Sequence, residues 1–297
     1  MKTSIIKVPA SSANIGPGFD SAGIAVKRFL TLRVLPSEEW AFIHESECLP
    51  TVTDYQDHFI YQIAYKIATA HQKTLPSASI HVTSDIPLAR GLGSSASAII
   101  AGIELANILC GLQLTDDEIL KHACDIEGHP DNVAAALFGG CILAVQTEDN
   151  NIHSTKLPSL DLELVMHIPN FELKTEDARK VLPDTYERNY ATTASAISNL
   201  MIASFMSGNY ELAGQMMEQD KFHEAFRAEL IPHFTEIKEK AKTLGAYGTV
   251  ISGAGPTTIS FVPTGKSEMI AKEMQNFLPD YEVVALNIDE SGLQTTL

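Results

Sequence analysis

At 297 residues, the chain has the length for one large or two ordinary domains with a sizeable buried core. Charged residues at 20% and hydrophobic ones at 45% are the balance of a soluble globular protein, and 21 Lys and Arg against 37 Asp and Glu leave a net charge of −16. That deficit excludes a nucleic-acid partner, because no basic face could neutralise many phosphates. A nucleotide could still be held, through a local cluster of donors and a metal ion.

Residues 4–10 read as a short strand. It runs into Pro9-Ala10-Ser11-Ser12-Ala13-Asn14-Ile15-Gly16-Pro17-Gly18-Phe19-Asp20, a long turn with two side chains, Asn14 and Asp20, suited to polar contacts. An ordinary Asn/Gly/Pro loop would look the same. Met1 to Pro9 lacks the apolar core of a signal peptide. Residues 23–35 and 40–45 read as strands, Tyr55 to Gln72 as a helix with Phe59, Ile60, Ile63, Ala64 and Ile67 on one face, and Ala78 to Thr83 as an alternating strand.

Next comes Pro87-Leu88-Ala89-Arg90-Gly91-Leu92-Gly93-Ser94-Ser95-Ala96-Ser97, and Ala96 to Leu109 continues at helical spacing up to Gly111, placed for an αL cap. A glycine and serine loop feeding a helix N-terminus is a preformed anion site. The first amides have no partner, the dipole favours negative charge, and glycines let a phosphate approach. Ser94 and Ser95 add hydroxyls suited to phosphate or Mg²⁺; a tight turn with a serine cap would account for the same residues. Walker A is excluded, because Ser260 stands where Gly265-Lys266-Ser267 requires a glycine. Gly91-x-Gly93-x-x-Ala96 fits a loose dinucleotide fingerprint, but no acidic strand end follows about 20 residues later.

Thr115-Asp116-Asp117-Glu118 is a capping box opening a helix to about Ile126. Glu127-Gly128-His129-Pro130-Asp131-Asn132 precedes an apolar helix; helix initiation explains Pro130 and Asp131, but not Glu127, His129 and Asn132 beside them. A metal site built on His129 alone is not expected, with no second histidine or cysteine at ligand spacing. Cys141 to Gln146 reads as a strand, and polar Thr147 to Lys156 is the candidate boundary between domains 1–155 and 156–297. Beyond it come a strand (162–168), helices at 175–181, 190–206, 210–218 and 224–244, strands at 248–252 and 257–262, a helix at 267–277 and a strand at 282–287. With the helical block as one crossover this is β-α-β-β-α-β, the split βαβ arrangement of an α+β protein. Met201, Met206, Met216 and Met217 are expected as core filler. Cys48, Cys110, Cys124 and Cys141 form no Cys-x-x-Cys pair, which fits a reducing cytoplasmic location. No run approaches the ~20 apolar residues of a membrane helix, so no membrane partner is expected.

Pro9 to Asp20, Pro87 to Ser97 and Ile251 to Thr258 together resemble the three signature motifs of the GHMP kinases, in order and over nearly the whole chain. Within that superfamily, Asn14-x-Gly16-x-Gly18-Phe19-Asp20 with Glu127 to Asn132 is similar to the homoserine kinases. The resemblance implies a two-domain GHMP kinase fold, with an N-terminal domain like ribosomal protein S5 domain 2 and a ferredoxin-like C-terminal domain. It also implies that ATP and L-homoserine bind between them and that the γ-phosphoryl group passes to the homoserine hydroxyl, towards threonine. The segment Pro87 to Ser97 would wrap the ATP phosphates, with Ser94 or Ser95 and Glu127 at Mg²⁺. Asn14, Asp20, His129, Asp131, Asn132, Thr175, Arg179, Arg227 and Gly253 would bind the acceptor, with Asp20, Asn14 and Arg179 as the catalytic set. His58 departs from the asparagine expected beside adenine. A homodimer is compatible with the resemblance. Two rival readings stand: a GHMP kinase for another alcohol such as mevalonate, and a GHMP-fold binding module that has lost catalysis.

Overall fold

The computed structural model describes residues 3–297; Met1 and Lys2, where the stretch read for a signal peptide begins, lie outside it. β1 (Ser4–Ala13) and β2 (Ala22–Pro36) form the antiparallel centre of a seven-stranded sheet. The far edge of β2 serves two neighbours, pairing at Leu30–Pro36 with β4 (Ala78–Ser84) and at Ala22–Ile24 with β5 (Cys141–Gln146). β3 (Ala41–His44) lies parallel to β4, β6 (Ile152–Lys156) extends β5, and β11 (Gln294–Thr296) borders β1. The β1–β2 register shifts between Pro9 and Ala10, the irregularity a proline without an N–H favours.

α2 (Ser94–Cys110) and α4 (Asp131–Phe138) pack on β1 and β2, with α1 (Phe59–Ala70) and α3 (Asp116–Glu127) against α2. α2 is apolar almost all round and correspondingly buried from Ala96 to Ala106. Its one buried carboxylate, Glu104, accepts from Asn107 Nδ2 at 2.8 Å and Thr295 Oγ1 at 2.9 Å. The expected capping box at Thr115 and Glu118 is present, and Gly111 ends α2 in the left-handed region.

The second sheet has the order β10-β7-β9-β8, all antiparallel, from β7 (Leu162–Pro169), β8 (Gly248–Ile251), β9 (Thr258–Pro263) and β10 (Tyr281–Leu286). With α5 (Thr175–Lys180), α6 (Arg188–Met206), α7 (Tyr210–Met217), α8 (Glu224–Arg227) and α9 (Phe234–Thr243) between β7 and β8, and α10 (Ser267–Phe277) before β10, this is the split βαβ arrangement. Period-2 alternation sends Leu164, Met166 and Ile168 of β7 into the main core and Val165 into a second core with Ile237 of α9 and Ile270 of α10. The main core runs unbroken from the first sheet to the inner face of the second.

Polar Thr147 to Lys156, the candidate boundary, contains β6, hydrogen-bonded to β5, and β11 returns to the first sheet. Three expectations need correction. The helix expected over 224–244 breaks at Pro232 into α8, a 3₁₀ turn and α9, because proline has no N–H for the ladder. The helix expected from Tyr55 begins only at Phe59, after a 3₁₀ turn. Met201 and Met217 are fully buried, but Met206, at the end of α6, is 60% exposed.

α7 meets β8 through glycine. A Cβ on Gly214 would stand 1.9 Å from Tyr247 O, backbone that cannot swing aside. Gly214→Ala should gain about 1 kcal/mol of helix propensity but lose roughly 1–3 kcal/mol to overpacking. A lower melting temperature is expected in calorimetry; a higher one would mean that α7 slides freely on β8.

Candidate active site

The three motif segments are stitched together by backbone. Ser11 N donates to Leu92 O at 3.2 Å, and Gly253 N to Ala13 O at 3.0 Å. Asn14 Nδ2 donates to Gly253 O at 2.8 Å, while its Oδ1 accepts from Asp20 N at 3.0 Å. Ser252 Oγ lies 2.6 Å from Gly91 O and 2.8 Å from Ser12 Oγ. Asn14, Ile15, Gly16 and Asp20 all have positive φ, so the loop after β1 turns sharply enough to bring Asn14 and Asp20 to one wall.

Gly93 caps α2 from the left-handed region and supplies no side chain, and the first intrahelical acceptor serves Ser97 N. The amides of Ser94, Ser95 and Ala96 therefore have no partner in their own helix. A Cβ on Gly93 would lie 2.1 Å from Ser11 Oγ, and one on Gly91 would lie 2.3 Å from Ser252 O. What forbids a side chain at these two positions is the protein around the loop.

A cavity of about 340 Å³ opens there. Its walls hold Asn14, Asp20, Ala89 to Ser95, Glu127, His129, Asp131, Asn132, Thr175, Arg179, Arg227 and Gly253, gathered from loops and helices of both domains. Leu88 instead lines a neighbouring apolar cavity, and Pro87, Ala96 and Ser97 border neither. Ser97 is buried, its hydroxyl donating to Pro9 O at 2.8 Å. Arg90 borders the cavity, but its guanidinium braces the loop against Pro169 O and Asn170 O.

Arg179 reaches Asp20 with two parallel hydrogen bonds, 2.8 and 3.2 Å, across the domains. Arg227 is 1% exposed, donating from Nε to Ala178 O at 2.9 Å and from Nη1 to Gly253 O at 3.3 Å. Burial and the neighbouring Arg179 lower its pKa to about 10, so it remains a cation at neutral pH. Phe19 lies under both guanidinium groups, at 5.7 and 5.4 Å. His129 Nδ1 is 2.6 Å from Asp131 Oδ1, which also accepts Asn132 N at 2.7 Å. Burial opposes charge on His129, but the hydrogen bond and the acids Asp131, Asp20 and Glu127 outweigh it and raise its pKa.

Asp20, His129 and Asp131 offer ligand atoms within 4.8 Å of one another, a concentration of negative charge suited to a cation. A second oxygen site lies at the mouth of α2, where Ser95 Oγ donates to Glu127 Oε2 at 3.0 Å. Burial raises the pKa of Glu127, the direction a bound cation would reverse. A carboxylate and hydroxyls beside a helix N-terminus are the hard oxygen donors that Mg²⁺ takes.

The adjoining apolar cavity, about 390 Å³, reaches from Ser94 and Ser95 past Leu49, Val82 and Ile86 to His44 and His58. His58 caps α1: its Nδ1 accepts from Ile60 N at 3.2 Å, its ring stacks 3.9 Å from Phe42, and its Nε2 meets His44 Nε2 at 2.9 Å. Burial and His44 lower its pKa to about 4. A neutral imidazole thus takes the helix-capping work an asparagine would do there.

Phe19, which orients both arginines, and the serines at 11, 12 and 252 were missed by sequence reasoning. Serine within a strand or at its end carries no signal until its partner is known, and Ser252, just past β8, is paired 240 positions away with Ser12 in β1.

Family models for the N-terminal and C-terminal domains of GHMP kinases match residues 58–140 and 201–281. The homoserine kinase of Oceanobacillus iheyensis is 49% identical over 97% of each chain, and that of Bacillus pumilus 45% identical over 97% of this chain and 93% of its own. The crystal structure of homoserine kinase from Cytophaga hutchinsonii superposes with a TM-score of 0.85 at 27% identity, covering 100% of this chain and 98% of that one.

His129 should hold its proton to a higher pH than the ~6.5 of a free imidazole. Since the folded-state value is the raised one, the contact stabilises the fold fully below the unfolded value and is lost as pH rises through the folded one. An NMR titration should show the raised value, and Asp131→Asn should lower it. Titration of His129 below the free value would show that desolvation prevails.

Proposed function

The chain belongs to the homoserine kinase family of the GHMP kinases, and on that premise we propose that this cleft transfers the γ-phosphoryl group of ATP to the side-chain hydroxyl of L-homoserine. One observation carries the reading: the uncapped N-terminus of α2 opens into the same cavity as the Asp20–Arg179 pair, Asp131 and Arg227. That places anion-binding amides beside a complement for a zwitterion.

In this reading the apolar cavity beside His58 takes the nucleobase, and the amides after Gly93 take the phosphates. The acceptor carboxylate goes to Arg227 and Arg179, since a guanidinium offers paired donors. Its ammonium goes to the acids at Asp20 and Asp131, with Asn14 and Asn132 as neutral partners. Mg²⁺, held by Glu127 with the Ser94 or Ser95 hydroxyl, supplies neutralisation of the phosphate charge.

Phosphoryl transfer runs through a loose transition state, so alignment and charge stabilisation dominate. Both oxygens of Asp20 already accept from Arg179. Asp20 accordingly orients the acceptor, and the hydroxyl proton can leave late. Mevalonate, with a carboxylate but no ammonium, would bring no cation to the acids of the cavity.

An ADP-release assay across homoserine, mevalonate, galactose and no acceptor tests the assignment; equal turnover of mevalonate and homoserine would overturn it. Arg227→Leu should raise the homoserine KM by the equivalent of about 2–5 kcal/mol and leave that for ATP nearly unchanged. Glu127→Gln should raise the Mg²⁺ concentration for half-maximal activity, while Asp125→Asn should not. The reverse pattern would move the metal ligand to Asp125.

A further inference from the structure

We propose that His223 is a positioning residue for the acceptor clamp, fixing the Arg227 guanidinium through an imidazole locked in one tautomer. The proposal rests on the reading that Arg227 receives the acceptor carboxylate.

α8 is a single turn, Glu224–Arg227, too short for its own hydrogen bonds to set its roll. Side chains set it. Asp220 Oδ2 accepts the amides of His223 and Glu224 at 2.8 and 2.7 Å, and Glu224 Oε1 accepts Ile251 N at 2.6 Å.

His223, four residues before Arg227, is wholly buried. Its Nε2 stands 2.9 Å from Gly16 O. A carbonyl can only accept, so Nε2 carries the proton and Nδ1 keeps a lone pair. That lone pair faces Arg227 Nη1 at 3.3 Å, and a guanidinium can only donate. The polarity matches at both ends only for the neutral ring. Burial and the Arg227 charge lower the His223 pKa, against an upward pull from Asp220, whose nearer oxygen is 3.7 Å away.

The ring also stacks on Phe19, centroids 5.3 Å apart, the same phenyl that lies beneath Arg227. Ala178 O, Gly253 O and His223 Nδ1 thus hold the guanidinium from three parts of the fold. Without the imidazole lone pair, Nη1 would keep only its 3.3 Å contact with Gly253 O.

Three variants of the full chain separate the contacts. His223→Asn carries its amide near the place of Nδ1 and can serve Arg227 but not Gly16. His223→Gln carries its amide near Nε2 and can serve Gly16 but not Arg227. His223→Phe keeps the stacking and serves neither. The expected result is a homoserine KM raised about tenfold or more in Gln and Phe, as for a lost hydrogen bond to a charged group, and near the parent value in Asn. ATP KM and kcat should stay within about threefold in all three. In an Arg227→Leu background, the penalty of His223→Phe should largely vanish. If Phe does not fold, Gln takes its place in that cycle. A raised KM in Asn but not Gln, a parallel rise in ATP KM, or equal penalties with and without Arg227 would overturn the proposal. An unchanged homoserine KM in Arg227→Leu alone would instead overturn the reading of the clamp.

Discussion

Everything at the site depends on keeping the N-terminus of α2 open while it sits inside the protein. Orphan amides in a helix end cost free energy unless a side chain, water or ligand meets them. Here the cap position is a glycine with nothing to offer, and the loop is immobilised from outside. Ser11 N takes Leu92 O, Ser252 takes Gly91 O, and the Ser252 backbone and the Ser11 hydroxyl come too close for a Cβ at Gly91 and Gly93 respectively. The Ser252 contact also couples the two domains, because Gly91 lies in the loop between β4 and α2 and Ser252 follows β8 of the second sheet. One hydrogen bond thus serves both the shape of the loop and the docking of the domains.

The electrostatics are local as well. A chain of net charge −16 gathers two arginines from the C-terminal domain against acids from the N-terminal one. Burial costs Arg227 part of its basicity, and the costs are offset by three acceptors and an aromatic face rather than by a carboxylate in contact. Among the described residues, no carboxylate touches its guanidinium. Arg179, half-exposed, is paired with Asp20 through Nη1 and Nη2.

What could be read in the sequence was whatever is local. The capping box at Thr115, the cap at Gly111 and the alternation in β4 need no distant partner, and each appears as expected. The Glu127 to Asn132 cluster was visible because helix initiation leaves half of it unexplained. β6 and β11 were illegible, since their side chains are almost all exposed and carry no hydrophobic period. The break before α9 was legible in Pro232, and the helical periodicity around it obscured it. His223 could not be singled out, as its meaning lies in Gly16, 207 positions away. The motif glycines were read for the approach of a phosphate, and distant residues add a second reason that sequence could not carry: a Cβ at Gly93 would meet Ser11 Oγ and one at Gly91 would meet Ser252 O.

β11 has a consequence of another kind. An open strand edge is a template for pairing with a second chain. Without β11, β1 would present such an edge at Ile5 to Lys7, on the strand that leads into the first motif. Three polar, exposed residues, Gln294 to Thr296, close it, anchored to α2 through Thr295 and Glu104. β11 thus guards against edge-to-edge pairing, and it is so short that it offers little edge of its own. Because Ile5 pairs with Thr296, β1 gains this guard only after every other strand of its sheet has been synthesised. Until then β1 is an unprotected edge, and the nascent chain is most vulnerable to its own neighbours.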